Sequence, residues 1–253
     1  MLKRIALIGS RDVDPDLAKA AKDADVLLVT MGHDQPVPPG SGALLGPAET
    51  GSLPAALSLA ASSEGMLHML AEAVDSREGL VHGSAERLCN HATRFAQALG
   101  LSPEEQFALE RGALLHDVGK ILLSNDVLMK KAVLDYDDWL LLQAHTTMGA
   151  DLLLKFGCHT DVVDIVRYHH ECWNGEGYPD RLEKDAIPRS ALIMKILDVY
   201  CSMTSPRHYR SSHASHEEAV EHLKTERGER YCAELVDAFL ENDIGRPFPK
   251  ADG

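Results

Sequence analysis

Long apolar runs are missing from this chain. No stretch of about 18 consecutive apolar residues occurs, so no helical membrane span is expected, and MLKRIALIGSRD is too short an apolar run for a secretory leader. Aromatic residues make up only 5% of the chain, which argues against a stacked nucleic-acid platform. Positive charge is also scarce: 25 Lys and Arg face 39 Asp and Glu, for a net charge of −14 and a pI near 5.3. Such a chain repels nucleic-acid backbones and anionic membranes, so no DNA or RNA partner is expected. Any phosphate it binds must meet a local positive charge. The five cysteines (Cys89, Cys158, Cys172, Cys201 and Cys232) are scattered and form no CxxC pair. That excludes a disulfide framework and a cysteine zinc site, and it fits a reducing cytoplasm.

What is present divides unevenly. Ile5–Ile8 and Val26–Thr30 are short apolar runs flanking a helix-like PDLAKAAKDA, which reads as strand–helix–strand. A Pro- and Gly-rich segment follows, MGHDQPVPPGSGALLGPAETGSLP, so residues 1–53 read as a small α/β unit plus linker. This unit reads as a docking or dimerising appendage, or as a receiver-like remnant with Thr30 where a phosphoacceptor aspartate would stand. Residues 54–253 carry helical periodicity and no strand alternation, which predicts an all-α domain of six to eight helices. Ser102 and Glu105 predict a capping box opening a helix that runs to Gly119. Asp135 starts another that ends at Gly157, Thr160 starts a third, Pro188 a fourth, and Ser215 with Glu218 a further capping box. The segment MLHMLAEAVD reads as core packing or as a dimerising surface, so a homodimer stays open.

Chemistry shows where polar residues sit on apolar helix faces. His116 and Asp117 interrupt the hydrophobic LLHDV, His145 follows the Trp139–Leu142 run, His169 and His170 lie four residues past Ile165 and Val166, and Asp198 interrupts ALIMKILDVY. Each alone reads as a satisfied core polar group. Together on successive helices, imidazoles mixed with carboxylates form a first-row transition-metal donor set. Adjacent helical residues project about 100° apart, so the pairs His116-Asp117 and His169-His170 suit two neighbouring ions better than one. Asp117 has two oxygens with which to bridge them. Lys120 falls on the same side and can neutralise a phosphate or protonate a leaving oxygen.

These segments, HDVGK at 116–120, HTTMGADLL at 145–153, HHECWNGEGYP at 169–179 and LDVYCSMTSPRHYR at 197–210, resemble the HD-GYP family of the HD phosphohydrolase superfamily. The resemblance covers roughly Leu67 to Leu240. It implies an HD-type helical bundle and a metal-dependent phosphodiesterase that uses metal-activated water on cyclic di-GMP, giving the linear dinucleotide or GMP. It implies metal ligands at His116, Asp117, His145, His169, His170 and Asp198. These would hold two divalent ions, iron or manganese first, with zinc and nickel as alternatives. Lys120 would be the acid or phosphate contact, and Arg207 and Arg210 the substrate contacts. Gly175, Gly177, Tyr178 and Pro179 would shape the rim and meet partners such as diguanylate cyclase (GGDEF) domains.

The chain also departs from the family pattern. Ser84 stands where members carry a first ligand histidine, and Leu80 where some carry a glutamate for a third metal. His82, two residues from Ser84, would substitute if the helix starts late, and His91 lies two turns along; otherwise both read as surface residues. Asn174, Cys201, Pro206 and His208 differ as well. The alternative to an active enzyme is a cyclic di-GMP sensor or scaffold that binds without turnover.

Overall fold

The computed structural model describes residues 4–8, 26–30, 53–78, 80, 83–130, 133–205 and 213–246. The chain divides into two compact units, Met1–Met69 and Leu70–Gly253. In the first, strands β1 (Arg4–Ile8) and β2 (Val26–Thr30) pair in parallel, with Arg4 opposite Val26 and Ile8 opposite Thr30. Parallel neighbours need a crossover of about a dozen residues or more. The helix expected at PDLAKAAKDA lies outside the described residues.

Helix α1 spans Leu53–Arg77. The second unit continues with α2 (Ser84–Ala98), α3 (Pro103–Leu115), a 3-10 turn at Val118–Leu122, α4 (Asn125–Leu128) and α5 (Tyr136–Gln143). Then come α6 (His145–Lys155), α7 (Thr160–Tyr168), a short 3-10 turn at Lys184–Ala186, α8 (Arg189–Thr204), α9 (His216–Thr225) and α10 (Ala233–Glu241). The mainly α bundle expected from the periodicity is observed, with more and shorter helices than six to eight. The capping boxes at Ser102/Glu105 and Ser215/Glu218 form as expected, and Asp135 forms one with Asp138. Each satisfies two backbone N–H groups that the helix start would leave without partners.

Helix α8 is the hub. Ala191, Leu192, Ile193, Met194, Ile196, Leu197 and Tyr200 are buried nearly all round it, as suits a helix with no solvated face. Packed on it are Phe95 of α2, Ile165 of α7, Leu223 of α9 and Phe239 of α10. Phe95 and Phe239 meet edge to face with centroids 5.6 Å apart.

Two expected helices are broken, and both breaks position the polar residues. The helix opened by Ser102 stops at Leu115 rather than at Gly119, so His116 and Asp117 occupy its end and the start of the 3-10 turn. The cause is close backbone packing: a Cβ on Gly119 would lie 1.9 Å from the His145 carbonyl oxygen and 2.7 Å from the Gly149 nitrogen. The run from Asp135 to Gly157 is likewise two helices, interrupted at Ala144, which places His145 at the start of α6. Gly157, at φ +67°, follows α6 as expected.

Candidate metal centre

Three imidazoles are oriented by helix ends. Carbonyls in the last turn of a helix have no intrahelical donor. His116 Nδ1 lies 3.0 Å from the Ala113 carbonyl, His145 Nδ1 2.6 Å from that of Leu142, and His169 Nδ1 2.9 Å from that of Val166. A carbonyl can only accept, so each Nδ1 carries the proton and donates it backward. With Nδ1 so engaged, each ring turns its Nε2 toward one cavity, the way metal-binding histidines are oriented by a carbonyl behind them. Nε2 of His145 and of His169 are both buried and make no hydrogen bond. His145 Nε2 lies 3.2 Å from Asp117 Oδ1, and His169 Nε2 lies 3.9 Å from the same oxygen. Two buried ring nitrogens that make no hydrogen bond thus converge on one carboxylate oxygen, an arrangement that a cation resolves.

Donor atoms of Asp117, His145, His169 and His170 all lie within 4.8 Å of one another. Ligands at about 2.1 Å from one first-row ion span a similar distance. The adjacent pair His169-His170 thus enters a single donor group, because α7 ends at Tyr168 and the 100° helical spacing no longer applies. The other oxygen of Asp117 faces a second set. Oδ2 lies 3.2 Å from His116 Nε2 and 2.7 Å from Lys120 Nζ, and His116 Nε2 is 3.9 Å from Asp198 Oδ1. All six sequence-derived ligands are brought together, with Asp117 between two donor groups.

Electrostatics agree with these roles. Burial, reinforced by neighbouring imidazoles, holds His169 and His170 well below the ordinary histidine value, so both stay neutral and able to ligate. Burial also disfavours a charged His116, but Asp117 and Asp198 outweigh it and lift its pKa to about 9. Asp117 is pushed up by burial and more strongly down by His116 and Lys120, so it stays ionised. Lys120 is opposed by burial, yet Asp117 and Glu78 together raise its pKa and keep it an ammonium.

Sequence reading missed the group that fixes Lys120. Glu78 Oε1 accepts from its Nζ at 2.8 Å, while Arg77 donates to the Lys120 carbonyl at 2.8 Å and the Leu123 carbonyl at 2.9 Å. The residue after α1 thus holds the side chain of Lys120, and the last residue of α1 holds its main chain. The signal was faint, two charged residues at a helix end, and nothing local linked them to a lysine some 40 positions away.

The glycine-rich loop forms one wall. Glu171 is fully buried and accepts from the Asp180 N–H at 2.8 Å, tying the loop's far end to its start. A Cβ on Gly177 would stand 2.3 Å from the Cys172 nitrogen, and Gly175 sits at φ +78°, so both glycines are required by geometry. Tyr178, next to Pro179, stacks on His170 with ring centroids 4.7 Å apart and planes 25° apart. Lys195, which is buried, donates to the His170 carbonyl at 3.2 Å.

The family model for the HD domain matches residues 68–235, about two thirds of the chain, and the HDVGK and HHECWNGEGYP segments within that span build the centre just described. The chain belongs to the HD-GYP branch of the HD-domain family. Among relatives of this HD-GYP protein, a 3′3′-cGAMP-specific phosphodiesterase of Vibrio cholerae is 31% identical over 72% of the chain and 35% of its own length. The cyclic di-GMP phosphodiesterase response regulator RpfG of Xanthomonas campestris is 35% identical over 69% of the chain and 46% of its own length. A cyclic di-GMP phosphodiesterase of Thermotoga maritima is 32% identical over 69% and 47% respectively. The chain therefore spans less than half the length of these relatives. The HD fold is shared with a cyclic GMP-AMP-specific phosphodiesterase of V. cholerae, at a TM-score of 0.56 and 23% identity over 72% of this chain and 48% of that one. An HD-GYP-type protein of Bdellovibrio bacteriovorus matches with a TM-score of 0.51 and 20% identity over 75% and 56%.

In this HD-GYP protein the centre opens into a cavity of about 290 Å³, and three of the departures from the family pattern, Leu80, Ser84 and Cys201, line it. Asp75 lines it too, accepting from the Ala85 N–H at 3.0 Å at the start of α2, with burial raising its pKa to about 6. Arg207, Arg210 and His82 lie outside the described residues, as do Pro206 and His208.

His91, expected at the surface, is instead buried and meets Tyr200 edge-on at 5.7 Å. It continues the apolar stripe Ala85, Leu88, Ala92 and Phe95 of α2. Burial, aided by Arg87, lowers its pKa from 6.5 to about 4. The unfolded chain then binds a proton that the folded chain refuses, so stability present above pH 6.5 is lost as pH falls toward about 4. The loss is about 3 kcal/mol. Asp75, with its raised pKa, acts in the opposite direction over part of that window. Melting temperatures across this range should therefore fall less steeply for His91→Gln than for the parent, and parallel curves would remove the assignment.

Proposed function

We propose that this chain is a divalent-metal-dependent phosphodiesterase that opens cyclic dinucleotides, with cyclic di-GMP as the first candidate substrate. The convergence of the buried Nε2 atoms of His145 and His169, neither of them hydrogen-bonded, on an ionised Asp117 carries the reading. The names of the relatives supply the substrate class. His116, Asp117, His145, His169, His170 and Asp198 would hold two ions, iron or manganese by donor type. Bound ions supply Lewis-acid stabilisation of charge on phosphate oxygens and acidify water at neutral pH.

The chain's own residues do the rest. Asp117 orients both donor groups through its two oxygens. Lys120, held by Asp117 and Glu78, brings a fixed positive charge to an otherwise acidic cavity. Hydrolysis adds water across one P–O3′ bond, with the proton passing to the leaving O3′ and a linear dinucleotide as product. Arg207 and Arg210, two and five positions after the cavity-lining Ser205 in the sequence, are proposed phosphate contacts. A diguanylate cyclase domain meeting the loop from outside would find Glu176 and Asp180 exposed, since Tyr178 packs against His170.

One observation favours a second reading, binding without turnover: Ser84 lines the cavity at the position where the HD-GYP pattern implies a ligand histidine. Product analysis after anaerobic incubation with Mn(II) or Fe(II) separates the two. Cleavage of cyclic di-GMP or 3′3′-cGAMP to a linear dinucleotide or mononucleotides is expected. Tight binding with the ring left intact would favour the sensor.

A further inference from the structure

We propose that the indole of Trp139 is the platform on which a purine base of the cyclic dinucleotide stacks while its phosphate lies at the metal centre. This assignment rests on the phosphodiesterase reading and specifies how that site recognises its substrate.

Trp139 and Leu142 line the same cavity as His116, His145 and His170. Helix α5, which carries them, has no buried residue, and Trp139 remains 46% exposed. The indole is therefore not filling a core. A large ring left half in water at the mouth of a reactive cavity is a surface for a ligand rather than for folding. Its neighbours Leu140 and Leu141 are similarly exposed but do not line the cavity, so Trp139 is distinguished by direction and not by hydrophobicity alone.

The platform is also held in register with the chemistry. Asp135 and Asp138 form the capping box at the start of α5, and Lys130 pairs with both carboxylates. At the other end, the Leu142 carbonyl receives the Nδ1 proton of His145 at 2.6 Å, with Ala144 the only residue between α5 and α6. The indole and a metal-ligating imidazole thus sit on consecutive helices locked by a hydrogen bond. A base stacked on one has a defined distance to the ions held by the other.

Charge balance gives the platform its purpose. The cavity lining carries Asp75, Glu78, Asp117 and Asp198, and among the described lining residues Lys120 is the only Lys or Arg. That lysine is already shared between two carboxylates. Away from the ions and from the proposed Arg207 and Arg210 contacts, this wall offers the phosphates little attraction, so at this wall affinity comes from the bases. A purine offers the broadest π-face for an indole, and such stacking is tolerant of which purine is present. The chain's low aromatic content rules out a row of stacking residues, not a single one.

The test compares Trp139→Ala and Trp139→Phe with the parent on cyclic di-GMP, 3′3′-cGAMP and cyclic di-AMP. For W139A, KM should rise about 10–100-fold with kcat changed less than about threefold, and W139F should stay within about threefold of the parent. Metal content and melting temperature should match the parent, because Trp139 supports neither core nor ligand. Parent-like KM in W139A overturns the assignment and leaves the phosphodiesterase reading standing. An equal KM rise in W139F and W139A also overturns it, since phenylalanine keeps a stacking face. A parent chain that neither binds nor cleaves any of the three nucleotides removes both readings together.

Discussion

Replacing Asp117 with alanine is expected to lower divalent-metal affinity by more than about 100-fold, beyond the 10–100-fold typical of outer-shell changes, and to abolish turnover. The reason is its position rather than its charge alone. One carboxylate oxygen closes the group formed with His145 and His169, and the other faces His116 and Lys120. Losing it opens both sets at once. The metal-free protein should suffer as well. The carboxylate is the counter-charge for a cationic His116 and a buried ammonium, and stripping one partner from such a cluster costs about 3–5 kcal/mol. Elemental analysis after anaerobic refilling, with a thermal melt of the chelated protein, reads both effects. Full metal occupancy in Asp117→Ala would remove Asp117 from the bridging role.

Gly119→Ala is the second large effect, and it acts through backbone. The new methyl would sit 1.9 Å from the His145 carbonyl oxygen and 2.7 Å from the Gly149 nitrogen, with no flexible side-chain end to give way. The 3-10 turn and α6 would have to separate, carrying Lys120 and His145 apart. A destabilisation of more than about 3 kcal/mol is expected, together with weaker metal retention. Gly65→Ala provides the contrast, because its Cβ meets nothing within 4 Å in the interior of α1. That change should be neutral or stabilising by up to about 1 kcal/mol. Equal melting temperatures for Gly119→Ala and the parent would contradict the packing described.

How much of this was legible in the sequence follows from how local each signal is. The caps at Ser102, Asp135 and Ser215 are set by residues three apart, and all formed. The six polar positions that converge were legible because polar residues on apolar stripes are costly without a purpose. Their grouping was not. It depends on α7 ending at Tyr168, on a break at Ala144 and on a 3-10 turn after Asp117, the last of them held where Gly119 packs against the backbone of His145 and Gly149. Glu78 and Trp139 were missed for the same reason. Their partners, Lys120 and the cavity, are remote in sequence. His91 differs, because its place in the α2 stripe could have revealed its burial.

The most direct test of the whole account is metal stoichiometry of the full chain, stripped with chelator and refilled anaerobically with Mn(II) or Fe(II). Close to two ions per chain, both lost on chelation along with cyclic di-GMP cleavage, is the predicted result. A protein that stays metal-free with these ions and with Zn(II), or that cleaves cyclic di-GMP equally well with and without them, would contradict it.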